Sequence, residues 1–181
     1  TNEVASTDKW TVAGVVSGAT VTPVTDRRHD GYNSVRIANA GATANSWTGI
    51  AQSIGASQNS GDYVLSAWVY VVDKNLLDQG ACVKLQFFNG STALGYEQTE
   101  IKELLVNGSW ILVSVTIKAP DVPVTRLQGD IWVRRNGTMW VSQPQLQQGK
   151  EPSVYMPNPK DVTNYKELVD LVADKVAKSD F

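Results

Sequence analysis

The chain has 181 residues, enough for one domain and a tail, and its 16 Lys and Arg against 18 Asp and Glu give a net charge of −2. That balance argues against a nucleic-acid binder that works through a basic field, and the single cysteine, Cys82, excludes an internal disulfide and a cysteine-rich zinc site. The longest apolar stretch, 63–72, is about ten residues and too short to cross a bilayer, so we expect no membrane partner.

Ten short segments rich in Val, Thr and aromatic residues, separated by Gly, Asn, Asp and Pro, predict β-strands. In chain order they are 9–16, 20–25, 34–39, 46–54, 63–72, 81–88, 94–102, 110–118, 128–135 and 138–146. Many short strands with regular turn signals are typical of an all-β jelly roll, which is a β-sandwich of two antiparallel sheets. We predict that this sandwich occupies residues 1–150.

Three Asn-Gly pairs punctuate the strands, beginning at Asn89, Asn107 and Asn136. Asn and Gly tolerate the positive φ of a type I′ turn, so the pairs predict tight connections between antiparallel strands. Each pair also matches the glycosylation pattern Asn-X-Ser/Thr. Because turn chemistry alone produces these three matches, we interpret them as turns.

Alternation along the strands predicts which side chains face the core. In 81–88 the apolar set is Val83, Leu85 and Phe87, and in 128–135 it is Ile131 and Val133. The opposite set mixes aromatic, amide, thiol and charged side chains: Cys82, Lys84, Gln86, Phe88, Asp130, Trp132 and Arg134. Among the remaining aromatics, we predict that Trp68 and Trp110 pack against the core. For Trp140 the sequence favours neither the core nor the outer face. We interpret His29 as a turn residue.

After the sandwich the pattern changes. Three prolines at 152, 157 and 159 predict an extended linker over 151–160. Residues 161–181 predict an amphipathic helix, in which Asn164 and Glu167 form a capping box and apolar residues recur at helical spacing over 165–176. Because so short a helix is marginal alone, we expect its apolar stripe to pack on the sandwich or on a partner, including a second copy of the chain.

Several segments together resemble carbohydrate-binding modules of the family 4/9/22 type, which are jelly rolls. His29-Asp30-Gly31 is similar to the family's H-x-G turn, Trp47-Thr48-Gly49 to its W-x-G segment, and the strand Tyr63-Val64-Leu65-Ser66-Ala67-Trp68-Val69 to its Y-x-L-S-A-W-V strand. The resemblance covers about residues 5–150 as scattered short motifs. It implies a non-catalytic module that binds a polysaccharide.

The end of the sandwich carries a second resemblance, which indicates the kind of protein that contains the module. Gln145-Leu146-Gln147-Gln148-Gly149, with the proline-rich stretch up to Asp161, is similar to an ending that recurs in tail and baseplate proteins of phages of Gram-positive bacteria. This resemblance implies a virion-borne module with other tail proteins as partners and host cell-wall polysaccharide as ligand. The alternatives are a structural tail domain without its own ligand and an accessory module of a secreted bacterial hydrolase.

One departure from the family concerns a structural calcium ion. Family members often carry Asp residues in the last strand, whereas this chain has Trp140-Val141-Ser142-Gln143-Pro144. Calcium needs several oxygen ligands with some negative charge, and Glu3 and Asp8 could contribute some of them. We therefore predict no cofactor, and a structural calcium ion stays open as an alternative.

A sugar ring has an apolar C–H face, which aromatic side chains cover, and a rim of hydroxyls, which amides and charged groups bind. The resemblance gives Trp47 the first role, and strand order suggests Tyr96 as a second aromatic. Alternation supplies the polar contacts Lys84, Gln86, Gln98 and Arg134, with Trp132 on the face of Arg134 as a further stacking residue. These seven residues are the predicted ligand-binding site.

Nothing in the sequence favours an enzyme. A glycosidase needs two carboxylates about 5–10 Å apart, and Glu97 and Glu100 should point to opposite faces of one strand. A serine triad would have to recruit the only histidine, His29, and no phosphate-binding loop is present. We therefore predict no catalytic residues.

Overall fold

A computed structural model describes residues 10–156 and shows ten β-strands with two short 3-10 helices. The strands are β1 Thr11–Ala13, β2 Thr20–His29, β3 Tyr32–Asn39, β4 Trp47–Gly55, β5 Asp62–Tyr70, β6 Ala81–Asn89, β7 Thr92–Glu100, β8 Trp110–Lys118, β9 Arg126–Arg134 and β10 Gly137–Gln148. The 3-10 helices, Lys74–Leu76 and Lys102–Leu104, lie in the β5–β6 and β7–β8 connections. Each predicted strand corresponds to one observed strand, although β2 and β10 extend beyond their predicted ends.

The strands form two antiparallel sheets of five. The first sheet has the order β1-β4-β9-β6-β7, and the second has the order β2-β3-β10-β5-β8. Consecutive strands often lie in different sheets, as β9 and β10 do. This arrangement confirms the predicted all-β sandwich of jelly-roll type.

The core lies between the two sheets and takes one face of each strand. Val83, Leu85 and Phe87 of β6 are buried, as are Ile131 and Val133 of β9, so alternation assigned both strands correctly. Fully burying a side chain of this size stabilises a fold by about 1.5–3 kcal/mol. The side chains between these core residues must then point away from the core, and this orientation creates the outer face of the first sheet.

The prediction for the Asn-Gly pairs is correct for one of them. Asn89-Gly90 joins the neighbouring strands β6 and β7. Asn107-Gly108 instead precedes β8 after a 3-10 helix, and Asn136-Gly137 joins β9 to β10, which belong to different sheets. Gly108 and Gly137 have positive φ values of 75° and 142°. Positive φ permits a sharp reversal, but it does not select the strand that pairs next.

The prediction that Trp68 and Trp110 pack against the core is wrong. Their neighbours Ala67 and Val69 in β5 are fully buried and face the core, so alternation turns Trp68 outward. Trp110 pairs with Tyr70 on the same outer face of the second sheet, and Trp140 also pairs with Tyr70. His29 ends β2, before a turn in which Asp30 and Gly31 have positive φ.

Several predictions concern residues outside 10–156. They are the helix over 161–181, the end of the linker beyond Met156, and the candidate calcium ligands Glu3 and Asp8. Within 10–156, no three His, Cys, Asp or Glu residues are grouped so that they could hold a metal ion. The same residues contain no helix with the length and apolar character needed to span a membrane.

Candidate functional site

All seven predicted site residues lie on the outer face of the first sheet. Trp47 of β4 pairs with Arg134 of β9, and Trp132 pairs with Gly49 two residues along. One strand further, Lys84 of β6 lies between strands β9 and β7, and its partner on β7 is Gln98. Gln86 pairs in the same way with Tyr96 of β7. We refer to this surface, which crosses β4, β9, β6 and β7, as the first-sheet face.

The W-x-G segment has a clear geometric role at the edge of this face. A Cβ atom at Gly49 would lie only 1.8 Å from the carbonyl oxygen of Ile131 and 2.9 Å from Cδ1 of Trp132. Glycine therefore allows β4 to approach β9 closely and leaves room for the indole of Trp132. Trp47 begins β4 and remains 36% exposed, so its ring is available at the surface.

The aromatic rings and a lysine form one connected row. The ring centroids of Trp47 and Trp132 are 5.0 Å apart, and the planes are tilted by 55°. Nζ of Lys84 lies 5.5 Å from the Trp132 ring centroid and 4.6 Å from that of Tyr96, which is 58% exposed. Three inter-strand spacings separate β4 from β7, about 14 Å in all, so this row is longer than a single sugar ring.

Arg134 is held in place by a residue that sequence reasoning did not include. Its guanidinium carbon lies 4.3 Å from the ring centroid of Trp47, and its Nη2 donates to Oε1 of Glu100 at 2.6 Å. The amide of Gln98 donates to the same oxygen at 2.7 Å. Glu100 thus orients two of the predicted polar contacts. Glu100 follows Gln98 by two residues in β7, and residues two apart in a strand point to the same face, so alternation could have identified it.

A second polar group lies on the face outside the seven predicted site residues. Nε2 of Gln128 donates to Oδ1 of Asp130 at 3.0 Å, and Nη1 of Arg126 donates to Oε1 of Gln128 at 2.9 Å. Asp130 is only 2% exposed, and this burial raises the pKa of its carboxyl group, although the hydrogen bond from Gln128 and the charge of Lys84 oppose the shift. The hydrogen-bonded chain Arg126–Gln128–Asp130 therefore runs along β9 through the centre of the face.

Two buried donors on this face have no hydrogen-bond partner among residues 10–156. They are Nε1 of Trp132 and Nε of Arg134. Buried donors are rarely left unsatisfied in folded proteins, because each costs about 1–3 kcal/mol. Both residues contact Trp47, so the unsatisfied buried donors of the face lie at that end of it.

Cys82 occupies the same face in register but is not available for chemistry. It pairs with Trp132 on one side and Glu100 on the other, yet it is fully buried. Burial, followed by the negative charge of Glu100, raises the pKa of the thiol to about 12. The thiol is therefore protonated at neutral pH and is a poor nucleophile.

The carboxylates of β7 do not form a catalytic pair. Glu97 pairs with the core residue Leu85, whereas Glu100 pairs with Cys82, so the two side chains leave opposite faces of the strand. Glu100 is also engaged by Arg134 and Gln98. The face can stack rings and exchange hydrogen bonds, which are the interactions of a binding surface.

Comparison with known proteins shows similarity at the level of the fold. No protein-family model matches the chain, and no curated protein matches it. Among solved structures, it is similar to the CBM22-1 xylan-binding domain from Paenibacillus barcinonensis, with 16% identity and a TM-score of 0.53 over 83% of this chain and 92% of that one. It also resembles CBM22-1–GH10 modules of a Clostridium thermocellum endo-1,4-beta-D-xylanase, with 16% identity and a TM-score of 0.55 over 83% of this chain.

A third similar structure is the enzymatically active domain of a tailspike protein from bacteriophage CBA120, with 12% identity and a TM-score of 0.56 over 76% of this chain. The chain spans 19% of that tailspike chain and 28% of the xylanase chain. At these identities the likeness establishes the architecture alone: the protein has the jelly-roll fold found in carbohydrate-binding modules.

Proposed function

We propose that this protein is a non-catalytic carbohydrate-binding module that takes a polysaccharide strand along the first-sheet face. The observation that carries the proposal is the connected row of Trp47, Trp132, Lys84 and Tyr96 across four strands. The exposed rings of Trp47 and Tyr96, with the half-buried ring of Trp132, can cover the apolar faces of successive sugars. The amides of Gln86 and Gln98 and the guanidinium of Arg134 border the rings, where sugar hydroxyls need partners.

The polar groups of the face are already held in position. Glu100 fixes Arg134 and Gln98, and Nε2 of Gln86 donates to the carbonyl oxygen of Leu94 at 3.2 Å. Groups that are oriented before binding lose less conformational entropy when a ligand arrives. The solved neighbours support the same function, since one is a xylan-binding domain and another is a xylanase with a carbohydrate-binding module.

We place the module in a tail or baseplate protein of a phage, with host cell-wall polysaccharide as its ligand and other tail proteins as partners. The ending over 145–161 and the similarity to a phage tailspike support this context. Repeated copies on a virion would convert weak individual sites into firm attachment through their high effective concentration. A site of this kind works outside the cell, at the host surface.

The binding proposal is tested on a glycan array that includes plant and bacterial wall polysaccharides, followed by calorimetric titration of the best ligand. We expect Trp47→Ala to abolish measurable binding while its thermal unfolding curve stays close to that of the unchanged chain, because Trp47 is at the surface. Leu104→Ala, which changes an exposed side chain in a 3-10 helix outside the strands of the face, is the control and should bind normally. If Trp47→Ala binds the polysaccharide as well as the unchanged chain does, the first-sheet face is not the binding site.

The similarity to the xylanase supports a second candidate, an accessory module of a secreted bacterial hydrolase. Immunogold labelling with antibodies against this chain separates the two contexts. Labelled tail tips on virions support the phage context, whereas labelled secreted hydrolase supports the second candidate.

The third alternative, a structural tail domain without a ligand, leads to results that differ from those expected for either binding module. In that case no polysaccharide on the array binds, and the apolar stripe over 165–176 drives association. Light scattering of the full chain with and without the pair Leu168→Asp and Val172→Asp measures that association. A chain that binds no glycan and loses its oligomeric state in the double variant would replace our proposal with this one.

A further inference from the structure

The second sheet carries a pocket on the opposite side of the sandwich from the first-sheet face. It encloses about 310 Å³ and shares no residue with the site proposed above. Strands β5, β8 and β10 form its floor, and the β2–β3 turn and the segment after β10 form its walls. Its principal lining residues are Ser66, Trp68, Leu112, Gln143, Gln145 and Tyr155.

The floor of this pocket contains an indole that stacks on an imidazole. The rings of His29 and Trp68 stack with centroids 4.1 Å apart and planes inclined by 25°. Nδ1 of His29 lies 2.6 Å from Oε1 of Gln143, so Nδ1 carries a proton and donates to that oxygen. Leu112 pairs with Trp68 in register and is 44% exposed. Together, the indole and Leu112 form a fixed apolar surface.

The walls are ordered by backbone geometry and hydrogen bonds. A register shift between Ser142 and Gln145 makes a bulge in β10, and Gln143 within it has a positive φ of 54°. The chain then returns alongside β10, where the amide nitrogen of Met156 donates to Oε1 of Gln145 at 2.9 Å. A pocket whose walls are held in this way exists before a ligand binds.

Polar groups also line the pocket. The side chain of Asp30 is 74% exposed and contributes a carboxylate acceptor, and Ser66, which is largely buried in the floor strand β5, contributes a hydroxyl group. The pairing with His29 uses the amide oxygen of Gln143, so Nε2 is the donor group of that side chain. An apolar surface with acceptor and donor groups beside it matches one sugar ring, whose C–H face is apolar and whose edge carries hydroxyls.

We propose that this pocket is a second saccharide site, which takes a single sugar ring or the end of a chain. Its volume is close to the lower limit of ligand pockets, about 300 Å³, and this favours one ring over a long strand. The proposal goes beyond the function assigned to the first-sheet face and does not depend on it. With both sites occupied, one module would bridge two saccharide chains on opposite sides of the sandwich.

The test uses the full chain with 15N-labelled tryptophan, so that each indole N–H gives its own NMR signal. The probes are free glucose, galactose, xylose, rhamnose and N-acetylglucosamine, and Trp68→Phe assigns the signal of Trp68. We expect at least one probe to shift the Trp68 signal saturably, both in the unchanged chain and in Trp47→Ala. Leu112→Arg places a long charged side chain over the floor and should weaken this binding by about tenfold or more, which corresponds to about 1.4 kcal/mol.

The control is Leu104→Arg, which makes the same change at an exposed leucine that does not line the pocket and should leave the titration unaltered. If no probe moves the Trp68 signal, or if the shift persists in Leu112→Arg, the second site does not exist. Contacts between Trp68 and residues beyond Met156 in the free chain would also overturn it, because the chain itself would then fill the pocket. Shifts at Trp47 and Trp132 report separately on the first-sheet face, so the two proposals fail independently.

Discussion

At the scale of single residues, the candidate site depends on where a side chain is missing as much as on where one is present. Gly49 lies two residues after Trp47 in β4 and pairs with Trp132 of β9. The close approach of the Ile131 carbonyl oxygen leaves no space for a methyl group. Packing of β4 against β9 therefore requires the glycine of the W-x-G segment. The tryptophan of the same segment has no such packing role, because it is exposed at the surface.

We predict that Gly49→Ala destabilises the protein by about 1–3 kcal/mol, the usual cost of overpacking, because β4 must move away from β9. The same movement displaces Trp132 and should weaken polysaccharide binding. Urea unfolding measures the first effect and calorimetric titration the second. Gly55→Ala is the matched control, since a Cβ at Gly55 in the same strand meets no atom within 4 Å. Equal stability of the two alanine variants would contradict the predicted clash.

At the scale of secondary-structure elements, the β9–β10 connection shows how the chain crosses between sheets. Arg135 has a positive φ of 63°, and the turn is held by the carboxylate of Asp78. Its Oδ2 accepts from Nε of Arg135 at 2.9 Å, and its Oδ1 accepts from the backbone nitrogen of Asn136 at 3.0 Å. The side chain of Asn136 in turn binds the backbone of Ala42. This network links three loops at one end of the sandwich.

We predict that Asp78→Ala lowers the free energy of unfolding at neutral pH by about 1–2 kcal/mol, as expected for lost hydrogen bonds to a charged group. Slight burial of Asp78 opposes ionisation, but hydrogen bonds from Asn136 and Arg135 outweigh it and lower the pKa of the carboxyl group. A lowered folded-state pKa means that the stabilisation is complete above the unfolded pKa of about 3.9 and is lost as the pH falls through the folded pKa.

Urea titrations at several pH values distinguish this network from simple packing. The difference between the unchanged chain and Asp78→Ala should shrink as the pH is lowered below about 4, because protonation removes the ionised acceptor in the unchanged chain. Asp121→Ala removes another hydrogen-bonded surface carboxylate, at a different loop, and serves as a comparison. If the loss of unfolding free energy in Asp78→Ala is independent of pH, the charge of Asp78 does not contribute to stability.

At the scale of the whole molecule, most strand pairs join distant parts of the chain. Within 10–156, only the pairs β2–β3 and β6–β7 connect consecutive strands, while β3–β10 and β4–β9 bring together residues far apart in sequence. Such pairs need long loops to close before they form any contacts, which slows folding. The same topology places the first-sheet face and the second-sheet pocket on opposite sides of one core.

We predict that the protein refolds in milliseconds to seconds, in the slow range of two-state domains, because of these non-local pairs. Stopped-flow tryptophan fluorescence after dilution from urea measures the rate. The double variant Trp68→Phe and Trp140→Phe removes two indoles outside the first-sheet face and serves to check that the signal reports on the whole sandwich. Refolding in microseconds would contradict the role assigned to topology.

The sequence by itself determined that the chain forms ten strands and which side chains of β6 and β9 face the core, because alternation is a local property of each strand. It placed Lys84, Gln86, Trp132 and Arg134 away from the core without reference to any other strand. Tertiary structure alone decided which strands pair, since hydrogen-bonding backbones are alike and only packing selects among them. That selection brings Glu100 to Arg134, turns two Asn-Gly pairs into crossings between sheets, and stacks His29 on Trp68 beside a pocket that no local pattern predicts.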